Sequence, residues 1–140
     1  MKIARTVKST RNVHDAFGYL SDFTTTIEWD PGTVVTRLVS GEGGVGTIYA
    51  NTSKFMGRVT QLEYVVMKYE LDSLIQLRGE NKTVVGTDTI SVRATPNGCE
   101  VNYTAEFQFH GLLRLIAPLL TPAFKKLGDE AEVGMTKALE

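Results

Sequence analysis

Few side chains in this sequence have the types or spacings from which catalysis is usually built. The only histidines are His14 and His110, and the only cysteine is Cys99. A metal site would need both histidines and several carboxylates brought together from distant segments, without the close or repeated spacing that ligand sets show, so no metal is expected. One sulfur forms neither an internal disulfide nor a multi-cysteine zinc site. Cys99 follows a hairpin glycine with no neighbouring cation to lower its pKa, which reads as structural. Serine-hydrolase elbows, phosphate-binding P-loops and H-E-x-x-H helices are all missing. Gly41-Glu42-Gly43-Gly44-Val45-Gly46 satisfies G-x-G-x-x-G literally. A pyrophosphate needs a helix N-terminus after that loop, whereas Thr47-Ile48-Tyr49-Ala50-Asn51 reads as strand, so the glycines read as a flexible hairpin loop and no cofactor is expected.

What is left is Asp88, Tyr64 and Tyr103, polar groups on segments that are otherwise apolar on the same face. An inward carboxylate is costly unless it meets a partner or water. Asp88 is therefore expected to be salt-bridged, to lie wet in an interior space, or to act as an acid/base with a raised pKa. Tyr64 and Tyr103 are the remaining candidates for such chemistry.

These side chains are positioned by a simple order of elements. Lys2 to Lys8 alternates as a strand. Asn12 is a plausible N-cap, Asp15 favours the positive end of the dipole, and Val13, Ala16, Phe17 and Leu20 give a helical stripe to about Tyr19. A second short helical piece from Ser21-Asp22 carries Phe23 and Ile27 and stops at Trp29-Asp30-Pro31-Gly32, where the chain must reverse. From Thr33 the texture turns β-branched and aromatic, predicting six strands at about Val34–Ser40, Thr47–Phe55, Val59–Leu71, Leu74–Gly79, Thr83–Thr95 and Cys99–His110. Pro96-Asn97-Gly98 is the clearest hairpin signal. From Leu112 to Leu139, Ile116, Leu120, Phe124, Leu127, Ala131, Met135 and Ala138 recur at helical spacing, with Pro118 and Pro122 predicting a kinked or irregular first part.

One strand, two short helices, six strands and one long helix predict an α+β fold whose antiparallel sheet curls over the helix. Val101, Tyr103, Ala105, Phe107 and Phe109 share the dry face of the last strand. Asp88, Ile90, Val92 and Ala94 on the preceding strand, and Leu62, Tyr64 and Val66 on the long third strand of the meander, are expected to face the same way.

In Phe17-Gly18-Tyr19-Leu20-Ser21-Asp22-Phe23, Glu28-Trp29-Asp30-Pro31-Gly32, Gly46-Thr47, Phe55-Met56-Gly57 and Gly111-Leu112-Leu113 ahead of the two prolines, the chain resembles the helix-grip superfamily of START domains and the birch pollen allergen. The likeness is to its polyketide cyclase/dehydrase-like branch, SRPBCC. It implies a seven-stranded curved sheet around a C-terminal helix, with an internal apolar cavity in one domain spanning residues 1–140. In such a cavity Trp29, Tyr64, Val66, Asp88, Ile90, Tyr103, Ala105, Phe107, Ile116, Leu120 and Phe124 are the expected ligand-binding residues, core packing of Trp29 being the competing role. Leu112 to Leu120 and the glycine loop are the expected entrance elements.

The expected function is binding of a small hydrophobic molecule such as a lipid, polyketide or isoprenoid. The alternatives are a polyketide cyclase/dehydratase-like enzyme using Asp88, Tyr64 or Tyr103, and an interaction module or homodimer built on the sheet edge or the helix. A formal charge of −1 over 140 residues offers no field for nucleic acid. The opening residues contain no signal-peptide-like apolar run, and no stretch reaches the ~20 apolar residues that span a bilayer. A cytoplasmic protein without stable membrane insertion is the expectation.

Overall fold

The computed structural model describes residues 1–140. β1 (Lys2–Ser9) leads into α1 (Val13–Ser21), a 3-10 turn at Phe23–Thr25 and α2 (Thr26–Trp29). The meander follows as β2 (Thr33–Ser40), β3 (Ile48–Phe55), β4 (Arg58–Glu70), β5 (Leu74–Glu80), β6 (Val84–Thr95) and β7 (Gly98–Phe109). The chain closes with α3 (Leu113–Ile116), a 3-10 turn at Ala117–Leu120 and α4 (Thr121–Ala138). All seven strands form one antiparallel sheet in the order β1-β7-β6-β5-β4-β3-β2. Register shifts in the β2–β3 and β4–β5 pairs add the twist and bend by which such a sheet curls.

The local reasons are those of the sequence. The Asn12 side chain accepts from the Asp15 N–H at 2.9 Å and caps α1. Asp22 caps the 3-10 turn by accepting from the Thr24 N–H. Pro118 and Pro122 break the C-terminal segment, so the regular helix starts only at Thr121. Two expectations fail beside these breaks and at a sheet end. Ile116 is half exposed at 47%, because the turn at Ala117–Leu120 takes it out of the helical stripe that buries Phe124, Ala131 and Met135. Ala94, expected inward, is exposed because β6 has passed the core there and enters its hairpin.

The core lies between the concave sheet, α1, α2 and α4. α4 is held on β1 by Arg5, whose guanidinium donates to Asp129 at 2.8 Å and to the Lys125 carbonyl at 3.2 Å. On β2 and β3 the buried polar groups satisfy one another: Asn51 donates to Thr36 Oγ1, and Thr26 Oγ1 lies 2.6 Å from that same hydroxyl. Thus α2, and Trp29 at its end, are fixed to the sheet. α4 meets α2 at Gly134, where a Cβ would overlap the Trp29 carbonyl oxygen. Gly134→Ala should therefore destabilise the fold by about 1–3 kcal/mol in urea titration, although alanine favours helix by about 1 kcal/mol. An unchanged midpoint would show that this contact yields without cost.

Candidate functional site

Three rows of paired residues across the concave face build the site. The first runs Tyr49, Tyr64, Gly79, Gly86, Phe107. The second runs Val66, Leu77, Asp88, Ala105, Ile3, and the third Ile75, Ile90, Tyr103, Arg5. In the first row two successive glycines leave a trough, and the Tyr64 ring lies in it. A Cβ at Gly79 would sit 2.7 Å from that ring, and one at Gly86 would be 3.6 Å from the Tyr64 hydroxyl. Phe23 packs edge-on against the same ring with centroids 5.1 Å apart. Tyr103 in the third row meets Trp29 edge-on at 5.3 Å.

Between the two phenols stands Asp88, buried, flanked by Leu77 and Ala105 on its neighbouring strands and free of any salt bridge. Of the three roles open to it, the ion pair is thus absent. Burial, helped by the charge of Asp30, pushes its carboxyl up to about 8, so it is mostly neutral at pH 7. Burial likewise holds the Tyr64 and Tyr103 phenols well above their usual range, and the charges of Asp88 and Asp30 add to it. Only one side-chain polar atom is both sealed from solvent and unpartnered, Nε1 of Trp29. The oxygens of Tyr64, Asp88 and Tyr103 make no side-chain hydrogen bond either, although all three residues are buried.

Asp30 was not expected here. Its carboxylate accepts from the Gly32 N–H at 3.1 Å and the Thr33 hydroxyl at 2.8 Å, yet burial raises its pKa, and its charge reaches Asp88 and both tyrosines. In the sequence Asp30 stands inside a turn signal, and only the docking of α2 brings it inward. The chemistry of this cluster is that of neutral donors and acceptors. It can hydrogen-bond a carbonyl or hydroxyl, and a protonated carboxyl can give up its proton.

Of the other expected lining residues, Trp29, Val66, Ile90, Ala105 and Phe124 are buried in the same core, and Leu120 packs partly against it. Phe107 belongs both to the first row and to a groove of about 680 Å³, lined also by Phe109, His110, Arg114, Ala117 and Pro118. The groove thus opens beside α3 and the turn after it. Beneath it Phe124 stacks on Phe55 at 4.6 Å and touches Phe107 and Phe109 at 5.1 and 5.6 Å. The glycine loop has left-handed backbone at Gly41, Gly43 and Gly46 and leads into β3. His14 pairs with Asp72 at 2.9 Å on the outer surface while His110 lines the groove, and no three His, Cys, Asp or Glu side chains gather as a metal set. Cys99 is buried with its thiol pushed up.

A family model described as polyketide cyclase / dehydrase and lipid transport matches residues 1–140. No curated protein matches at a significant level. Among solved structures the chain is similar to the Zhui aromatase/cyclase from Streptomyces sp. R1128, with a TM-score of 0.82 at 10% identity over 99% of this chain and 93% of that one. A START superfamily protein from Mycobacterium smegmatis gives 0.74 at 15% identity, covering 99% and 94%. Ara h 8.0201 gives 0.60 at 13%, covering 98% of each. At such identities these likenesses speak for the helix-grip fold alone.

Proposed function

Because the chain belongs to the polyketide cyclase/dehydrase and lipid transport family, we propose that it holds a small hydrophobic molecule between the curved sheet and α4. The molecule's one polar end lies against Tyr64, Asp88 and Tyr103. The observation that carries this reading is the buried, mostly neutral Asp88 between two phenols, none of them satisfied by the protein. A protein that needed only a core would place apolar side chains there, since each unpartnered polar group costs free energy. A ligand with an apolar body and a carbonyl or hydroxyl at its tip satisfies them. Lipids, polyketides and isoprenoids share that form. Burying ~300 Å² of apolar ligand surface at about 25 cal/mol per Å² is worth at most ~7.5 kcal/mol before association costs, which makes micromolar the upper limit of affinity from burial alone.

A second reading is favoured by the same carboxyl. A group that titrates near about 8 is poised for proton transfer at neutral pH, as in acid/base chemistry on a polyketide-like substrate.

Native mass spectrometry of freshly purified protein, followed by solvent extraction, tests the binding reading. A stoichiometric apolar passenger is expected, lost in Ala105→Trp, which fills the space beside Asp88. Should that variant not fold, Gly86→Ala serves, since its Cβ meets only ordinary 3.6 Å contacts and narrows the space beside the Tyr64 hydroxyl. A wild-type mass without passenger, and no uptake of added fatty acid, would overturn the proposal.

A further inference from the structure

The segment over the groove has two faces. Arg114, Ala117, Pro118 and Thr121 turn toward the groove. Leu112, Leu115, Ile116 and Leu119, at helical spacing, turn to solvent, and the three leucines are 83%, 75% and 79% exposed. A soluble surface scatters such side chains singly, and their gathering in one stripe calls for a partner. The β3–β4 hairpin adds a second apolar prong at the same end, because Phe55 stacks on Phe124 in the first turns of α4 while Met56 and Val59 point away, 66% and 64% exposed.

Charge says what covers these prongs. No Asp or Glu lies between Glu106 and Asp129, nor between Glu42 and Glu63. The same two stretches carry Lys54, Arg58, Arg114, Lys125 and Lys126, of which Lys126 pairs with Glu130 at 3.9 Å and the other four make no ion pair. Apolar tips within a cationic collar thus stand out on a chain whose net charge is only −1. A second copy of the chain fits poorly, since a two-fold contact would set this collar against itself. An anionic lipid bilayer fits both features, its acyl region taking the leucines and its headgroups the cations. No helix of the chain is long and apolar enough to cross a membrane, so the contact is peripheral.

We infer that this end of the molecule, the leucine stripe of α3 and its following turn together with the β3–β4 tip, docks on anionic lipid surfaces. The inference does not depend on a ligand being held inside. Where one is, the groove opens onto the bilayer and an apolar passenger need not cross water.

Flotation with phosphatidylcholine vesicles, with and without phosphatidylglycerol, tests it. The protein should float with the anionic vesicles and be released by salt. Leu112→Ser/Leu115→Ser/Leu119→Ser should weaken partition at least tenfold. Arg58→Glu/Lys125→Glu should weaken it by more than tenfold, since each cation at such a surface is worth about fivefold. All five side chains are exposed, so unchanged thermal unfolding is the expected control. Failure to float with either vesicle, or flotation that neither variant weakens, would overturn the proposal. So would a wild-type dimer that the leucine variant converts to monomer, because the face would then be a self-interface.

Discussion

Asp88→Asn should make the protein more stable at alkaline pH and flatten its pH dependence. The carboxyl has a folded value of about 8 against 3.8 when unfolded. The native state therefore binds the extra proton across that window. Stability from the neutral carboxyl is fully present below about pH 4 and is lost as pH rises toward 8. A displacement of about four pH units corresponds to on the order of 5 kcal/mol as a ceiling, which water reaching the site would reduce. Asparagine has the same shape and cannot ionise, so the variant escapes this loss. Urea midpoints at about pH 5 and about pH 8 should fall steeply for the wild type and far less for the variant. Some slope will stay in the variant, because Asp30 is raised by burial too, and the His14 pairing with Asp72 also weakens as pH rises. Parallel curves would mean that Asp88 is ionised in the folded protein and finds a partner there. The same variant separates the two functional readings: a bound passenger survives it, and acid/base turnover through Asp88 does not.

Most of the scaffold was legible because its signals are local. Period-two alternation in Val101, Tyr103 and Ala105, the Asn12 cap and the Pro96-Asn97-Gly98 turn each depend on neighbours a few residues away. Leu62, Tyr64 and Val66 face inward for the same reason. The site was harder, since it is made by pairing between strands. That Gly79 and Gly86 form one trough under Tyr64 follows only once β4, β5 and β6 are in register, and Gly79 read simply as a strand end. A glycine inside a β-branched run was the available hint of a close approach. Ile116 shows the opposite error, a helical spacing carried across Pro118 as though the helix were continuous. Asp30 was hidden by its own turn, where an aspartate is so common that it carries no information about burial. The acid-free stretches around Leu112–Leu119 and the β3–β4 tip, in contrast, were visible in the residue types alone. Their meaning waited on the exposure of the leucines.

Phe124→Ala should cost the most stability of any single truncation at the mouth of the site, about 3–5 kcal/mol by analogy with other buried phenylalanines. Its ring is buried among three other aromatics, contacting Phe55, Phe107 and Phe109 at centroid distances of 4.6 to 5.6 Å. These partners cannot all close the gap, because Phe107 and Phe109 are held on β7 and Phe55 on β3. Phe107 also borders Gly86, and through it the Tyr64 hydroxyl, so this aromatic cluster stands between the open groove and the polar trio. Removing the Phe124 ring should deepen the groove toward the polar trio. The variant should unfold at lower urea and at the same time bind a bulky apolar fluorophore several-fold more tightly than the wild type, while Phe124→Leu recovers most of the stability and loses most of the added binding. A loss of stability below about 1 kcal/mol would show that the cluster repacks freely. Weaker fluorophore binding in the alanine variant would instead place Phe124 in the ligand's own seat, with the polar trio reached by another way.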